Sequence, residues 1–401
     1  MLLRACFAVF VLLLSAMPAA AQTSDPDTSV IQLGPFGITP SLQLRDMGRD
    51  TNVFNERDNP RSDFTLTVVP RFEIVVRPKA LRVTVNTATE YVYYQTYETE
   101  RSINRSAGVR ADLLLPRVQP YFLASGSSTA ARLNAEVDAR ARHNEGVYGA
   151  GVVLKLGTRT SVGGLYRTTS FRYVEDEAFR GQSLSDSFDS EIDVVEGTVG
   201  VELTPFTQVN VTVSREEQRF DHSPERDADS IRITPTISFS PDAVIRGSAS
   251  VGYRRFTPKS GSLPSYSGLV ASVTLATTLY DRNQIDFTLS RDLRYSYDQT
   301  TPYYLATGGT VTATTELVGP FDVRGTGQYQ VMAYRGHTST SGSAGPGDDT
   351  LTSYGGGFGY RIRERLRIGI NADWTERRSE LSDDRGYTAR RIFASLTWGA
   401  Q

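Results

Sequence analysis

Apolar and polar residues alternate one by one in segment after segment of this chain. In Val209-Asn210-Val211-Thr212-Val213-Ser214 one face is all valine and the other is Asn, Thr and Ser. Ile285-Asp286-Phe287-Thr288-Leu289-Ser290 repeats the pattern, as do Leu81-Arg82-Val83-Thr84-Val85-Asn86, Ile231-Arg232-Ile233-Thr234 and Leu366 to Trp374. Successive side chains of a strand point to opposite faces, so a period of two marks strands with two unlike faces. Helical spacing fits none of these segments, and Val, Ile, Thr, Tyr and Phe dominate them. The chain is expected to be almost entirely β.

Turn residues cut the pattern at regular intervals. Short signals fall at Pro78, Pro116, Gly157, Pro205, Pro241, Tyr280, Pro320 and Glu364, at spacings of 36 to 48 residues. Each interval suits one hairpin of two strands and a loop. Between the short turns lie longer polar stretches: Met47 to Ser62, Val174 to Ser187, Asp221 to Ala228, Thr257 to Pro264, Gly336 to Asp349 and Arg377 to Arg385. Short turns at one end and long loops at the other are the layout of a transmembrane antiparallel up-and-down β-barrel, with the short turns periplasmic and the long loops extracellular. Eight short turns account for sixteen strands; one more near Ile38 to Asp46 and one at Tyr387 to Trp398 give about 18 strands. Sixteen is the fallback count, because Val118 to His143 alternates weakly.

Propellers and solenoids also repeat at about 40 residues. They would carry blade motifs and polar outer faces, whereas here one face of most segments is apolar with no partner layer. Aromatic residues gather at the strand ends, as in the interface girdles of membrane barrels. On the long-loop side these are Tyr91, Tyr93, Tyr97, Phe171, Tyr173, Tyr253, Phe256, Tyr295, Tyr297, Tyr329 and Tyr334; on the short-turn side, Phe206, Phe239, Tyr280, Phe321 and Tyr360. Ile392, Ala394, Leu396 and Trp398 share one face of the final strand and resemble the C-terminal signal read by the barrel assembly machinery, although Gly399-Ala400-Gln401 follow the last aromatic.

The N-terminus reads as a secretory signal peptide: Arg4, an apolar run from Phe7 to Leu14, and Ala19-Ala20-Ala21 before the cleavage point. The expected organisation is a signal peptide at 1–21 cleaved after Ala21, a short periplasmic leader at 22–37 and a transmembrane barrel at 38–401, in the bacterial outer membrane. Cys6, the single cysteine, leaves with the signal, which removes disulfides and Cys-built metal sites from consideration. With 43 basic against 45 acidic residues there is no cationic excess for a nucleic-acid partner. No catalytic site, metal or cofactor is expected. His143, His222 and His337 stand far apart, and Asp221-His222-Ser223 cannot form a triad from adjacent residues. Gly355-Gly356-Gly357 and Gly359 are followed by no helix, so they mark close backbone approach or curvature rather than a phosphate cradle.

A charge facing lipid near the midplane is costly, so charged residues on the polar faces belong to a wet lumen. The candidate lumen-lining residues are Arg71, Glu73, Arg82, Glu90, Arg110, Asp112, Glu202, Arg232, Arg246, Arg254, Asp286, Arg324, Arg367 and Asp373. Eight arginines against six acids suit internal ion pairing, or a polar track for a hydrated solute. The leader is too short for a folded plug, leaving a lumen that is open or narrowed by loops.

Thr39-Pro40-Ser41-Leu42-Gln43-Leu44, then Asp50-Thr51-Asn52-Val53-Phe54, then Ser62-Asp63-Phe64 with Val69-Pro70, resembles the start of a family of outer-membrane β-barrel porins associated with exopolysaccharide biosynthesis and export. The motif covers residues 39–70; beyond it the agreement is in length and hairpin period. The resemblance implies a channel passing exopolysaccharide outward, with periplasmic polysaccharide-export components as partners beside outer-membrane lipid, lipopolysaccharide and the assembly machinery. The alternative is a general or solute-selective diffusion porin for small hydrophilic solutes. A third reading is an outer-membrane barrel enzyme or a structural barrel.

Overall fold

The computed structural model describes residues 31–261, 263–298, 301–336, 347–363 and 365–399. The expected signal peptide and most of the leader lie outside these residues. Alternation becomes eighteen long strands. The first six are β1 Phe36–Asp50, β2 Asp63–Val76, β3 Leu81–Tyr94, β4 Ser102–Leu113, β5 Val118–Arg132 and β6 Arg140–Lys155. The next six are β7 Thr160–Tyr173, β8 Ser190–Thr204, β9 Thr207–Phe220, β10 Ala228–Phe239, β11 Ile245–Pro258 and β12 Tyr266–Leu279. The last six are β13 Asn283–Tyr295, β14 Tyr303–Glu316, β15 Phe321–Arg335, β16 Asp348–Arg363, β17 Leu366–Ser379 and β18 Tyr387–Gly399. Each pairs antiparallel with its chain neighbours, and β1 pairs with β18, so the sheet closes into a barrel. A three-residue strand, Ile31–Leu33, adds to the sheet only by folding back on the start of β1.

All eight short turns fall where the sequence places them, the longest being 240–244. Connections at the other end run from seven to sixteen residues. Three of them, 95–101, 133–139 and 296–302, have no counterpart among the polar stretches read from the sequence, although they are as long as 221–227, 259–265 and 380–386, which do. The weakly alternating stretch is a regular hairpin after all, paired from Val118↔Leu154 to Arg132↔Arg140. Its inner face is built of small groups such as Ser125 and Gly149, and the Tyr121 ring lies where a side chain on Gly151 would stand. That substitution blurs the polar–apolar contrast without disturbing the ladder.

The outer face carries an uncovered apolar belt. Val213, Ile233, Tyr253 and Leu269 are cross-strand neighbours on β9 to β12, with exposures of 48%, 49%, 50% and 60%. The opposite face is lined by hydroxyls and an amide: Ser238, Ser248, Thr274, Thr288, Thr310 and Gln328 are neighbours on β10 to β15. Such a molecule is stable only with lipid outside and water inside.

The aromatic bands need correction. Tyr91, Tyr93, Tyr253 and Tyr329 point outward and are exposed, as are Phe206, Tyr280, Phe321 and Tyr360 near the short turns. Tyr173, Phe256, Tyr297 and Tyr334 are instead buried beneath the long loops. Parity explains part of this: Phe256 lies three residues after Tyr253 and Tyr334 five after Tyr329, so each odd step changes the face.

The β1–β18 seam is the irregular part of the wall. The register of β1 slips between Leu44 and Met47, and Asp46 adopts a positive φ of 55°. Gly48 there lies so close to the Ile392 and Phe393 backbone that no Cβ would fit. Just above the seam, Asn52 donates from Nδ2 to the carbonyls of Glu56 (2.7 Å) and Thr388 (3.0 Å) and accepts from the Glu56 amide (3.0 Å). Asn52→Ala is expected to cost about 1–3 kcal/mol in denaturant unfolding from micelles, because it leaves buried backbone groups unpaired. Ile233→Arg, at the middle of the outer face, is expected to lose roughly 2–4 kcal/mol in vesicles, whereas the inward Thr288→Arg loses much less.

Candidate functional site

The seven-residue connection 133–139 leaves the wall between β5 and β6 and docks on β14 to β17, half the circumference away. Asn134 shapes its turn by accepting at Oδ1 from the amides of Glu136 and Val137, both at 2.8 Å. Val137 is fully buried with Phe179, Leu184 and Phe188 from the 174–189 connection and with Tyr297. Ala135 packs on the inward cluster of Tyr304, Ala306, Met332 and Tyr334.

Charge fastens the loop. Arg377, on β17, donates from Nη1 to the Glu136 carbonyl (3.2 Å) and to Asp138 (3.2 Å), and from Nη2 to Asp349 on β16 (2.6 Å). Arg385 approaches Glu136 and Asp349, each at 3.5 Å, and donates to the Tyr334 hydroxyl (2.8 Å). Ser296 donates to Glu136 Oε1 (2.6 Å). Arg226 reaches in from the 221–227 connection and donates to the carbonyls of Ser187 (2.9 Å) and Pro302 (3.1 Å). Five connections therefore meet at one buried point above the lumen.

Glu136 and Asp349 are completely buried, and each keeps one carboxylate oxygen without a hydrogen bond. Desolvation by burial pushes the Glu136 carboxyl up to about 7, against the lowering influence of Ser296, Arg385 and Arg377. Burial also raises Asp138, with Arg377 acting in the opposite direction.

Below the loops the lumen wall carries charge. Of the sequence candidates, Arg254 joins Glu216 (2.6 Å) and Asp292 (2.9 Å), and Arg232 also reaches Asp292 (3.0 Å). Arg110 pairs with Asp112 at 2.8 Å beside its cross-strand neighbour Arg82, and Glu90 with Arg45 at 2.7 Å near Arg71. Arg367 grips Asp322 at 2.6 and 2.9 Å, and Asp373 accepts from Arg391 at 3.0 Å. Gln284 donates to Asp286, Arg246 reaches the Thr278 hydroxyl at 3.4 Å, Glu202 sits opposite Gln208 and Glu73 opposite Asn86. Arg324 has no hydrogen bond or ion pair among the described residues.

The sequence reading missed the partners Arg45, Glu216, Asp292, Asp322 and Arg391. Parity alone places Asp292 with Asp286 and Asp322 with Arg324. Arg324, Arg367 and Asp373 do come together, lining one recess of about 330 Å³ with Gln43, Arg45 and Asn371. His143 is buried against Phe171 and Tyr173, while His222 lies 4.0 Å from Asp189. His337 lies outside the described residues. Gly355, Gly357 and Gly359 leave room for Asp373, Asn371 and Arg367 to lie flat against the wall.

A closed barrel with lipid outside, hydroxyls and ion pairs inside and a loop drawn across its mouth is an outer-membrane β-barrel protein. The family described as "Putative beta-barrel porin 2" matches residues 25–399, and the chain belongs to it. No curated protein matches the chain. Its fold is similar to OccK2 (OpdF) of Pseudomonas aeruginosa, solved with glucuronate, at 8% identity and TM-score 0.49, covering 91% of this chain and 98% of that one. A BenF-like porin of Pseudomonas fluorescens gives 11% identity and TM-score 0.48, covering 90% and 99%. OpdK of Pseudomonas aeruginosa gives 10% and 0.47, covering 90% and 98%.

The expectation of exopolysaccharide export is corrected here. The matching family is described as one of porins, which fits the alternative of a porin for small solutes better than polymer export. The docked loop 133–139 also lies across the path that a continuous polymer would need.

The Glu136 carboxyl sets a pH dependence. Its pKa is higher docked than free, so its contribution to docking is complete below the free value of 4.5 and fades as pH rises through about 7. Raising pH from about 5 to about 8 should therefore loosen the loop and increase single-channel conductance and protease cutting at 133–139. Glu136→Gln should remove most of that response.

Proposed function

We propose that this porin is a diffusion channel for small hydrophilic solutes, with its mouth narrowed by the 133–139 loop. The observation that carries the reading is the loop itself, anchored by Arg377 on the wall opposite its origin. In this reading the fourteen candidate lumen residues form the wall of the conducting path, and the seven among them that sit in ion pairs hold water without trapping a solute. Multi-site weak contact is the general requirement for conduction. The outward-facing Ile392 and Trp398, with Ala394 and Leu396 between them, would serve recognition by the assembly machinery.

Liposome swelling tests the reading. Swelling should be rapid with a pentose and fall steeply through di- and trisaccharides. Replacing 134–138 by a short Gly-Ser link should raise the larger sugars' rates several-fold while leaving the pentose nearly unchanged. A folded wild-type barrel that admits no pentose would overturn it.

A further inference from the structure

We propose that the recess between β15 and β17 is a binding site for a small monocarboxylate in transit, with Arg324 as its docking group. The inference rests on the diffusion-channel reading and gives it a solute class. Four charged residues line the recess: Arg45, Arg324, Arg367 and Asp373. Three are committed to partners, Arg45 to Glu90 at 2.7 Å, Arg367 to Asp322 at 2.6 Å and Asp373 to Arg391 at 3.0 Å. Arg324 is exposed to the recess, and nothing among the described residues neutralises it. A guanidinium is charged at every working pH and offers paired N–H donors that match the two oxygens of a carboxylate.

The register shapes the place where that carboxylate would lie. Arg324 stands opposite Gly357, Gly357 opposite Asn371, and Asn371 opposite Phe393, on four consecutive strands. The Asn371 amide lies over Gly357 and so extends toward Arg324, whose strand is about 10 Å from its own across two sheet spacings. The carboxylate meets Arg324, a hydroxyl or amide reaches Asn371, and the hydrocarbon part runs toward Phe393. The single unpaired charge sets the limit on ligand charge. Asp322, two residues before Arg324 on the same face of β15, and Asp373, two after Asn371 on β17, are already held by Arg367 and Arg391. A second anionic group would find no unpaired cation among the described residues of the recess, so the site favours monoanions over dianions.

The test uses the full barrel in planar bilayers, with reversal potentials read across gradients of sodium acetate and then disodium succinate. Wild-type protein should pass acetate in preference to sodium and show a weaker anion preference with succinate. Arg324→Gln should lower the acetate-to-sodium ratio by about threefold, the scale of one exposed charge contact. Arg324→Lys should retain most of it, and Lys259→Gln, in an extracellular connection, should leave it unchanged. If Arg324→Gln fails to fold, judged by heat-modified gel mobility, Arg324→Lys and Asn371→Ala together decide: retention in the first and loss in the second support the site. A ratio untouched by Arg324→Gln, or equal preference for succinate and acetate, overturns the site while the channel stands. Absence of any conductance overturns the channel reading and the site with it.

Discussion

Hydrocarbon offers no water to backbone N–H and C=O groups, so a sheet that crosses it must close on itself. In this chain closure falls on the β1–β18 seam, which is also where the ladder is least regular. The slip between Leu44 and Met47 leaves a gap in pairing that ordinary strands lack. Gly48 compensates by letting the two backbones approach, and Asn52 ties the first extracellular connection to the Thr388 carbonyl. The Asp50-Thr51-Asn52-Val53-Phe54 stretch thus has a structural explanation. It secures the joint on which the pairing of every other strand depends.

Closure also decides which segments face each other across the lumen. The β5–β6 connection stands opposite β14 and β15 because nine strands separate them on either side of an eighteen-stranded ring. Apolar contacts at Val137 and Ala135 supply attraction without direction, whereas Arg377 and Arg385 specify where the loop lands. Buried ion pairs are a poor source of net stability, since desolvation offsets their attraction. Their effect here is positional, and the incompletely satisfied Glu136 makes the position sensitive to protons. Lower down the wall the same chemistry fixes charges in pairs, leaving a lumen that is polar but largely neutralised.

Much of this was legible beforehand, for identifiable reasons. Strand faces follow from parity, as at Val213 and Ile233 outside and Thr288 inside. The short turns were found because Pro and Gly mark tight reversals. Reading failed where a signal was diluted or a contact was remote. Small inner residues on β5 and β6 mask a regular hairpin, and Tyr334 sits at a girdle position in the sequence although its parity differs from that of Tyr329. The candidate charges were identified one by one, but several partners went unseen because they sit on strands distant in the chain, such as Asp292 for Arg254.

By itself the sequence determined the period-two faces, the hairpin length and hence a lipid-facing barrel of about eighteen strands, because each is a local property of consecutive residues. Only the tertiary structure decided that Glu136 meets Ser296 and Arg385, that Arg377 reaches Asp138, and that Arg324 is left without a carboxylate among the described residues. Those relations join residues up to 249 positions apart, from Glu136 to Arg385. They exist only after the ring has closed and fixed its diameter, and no local pattern encodes the distance across a ring.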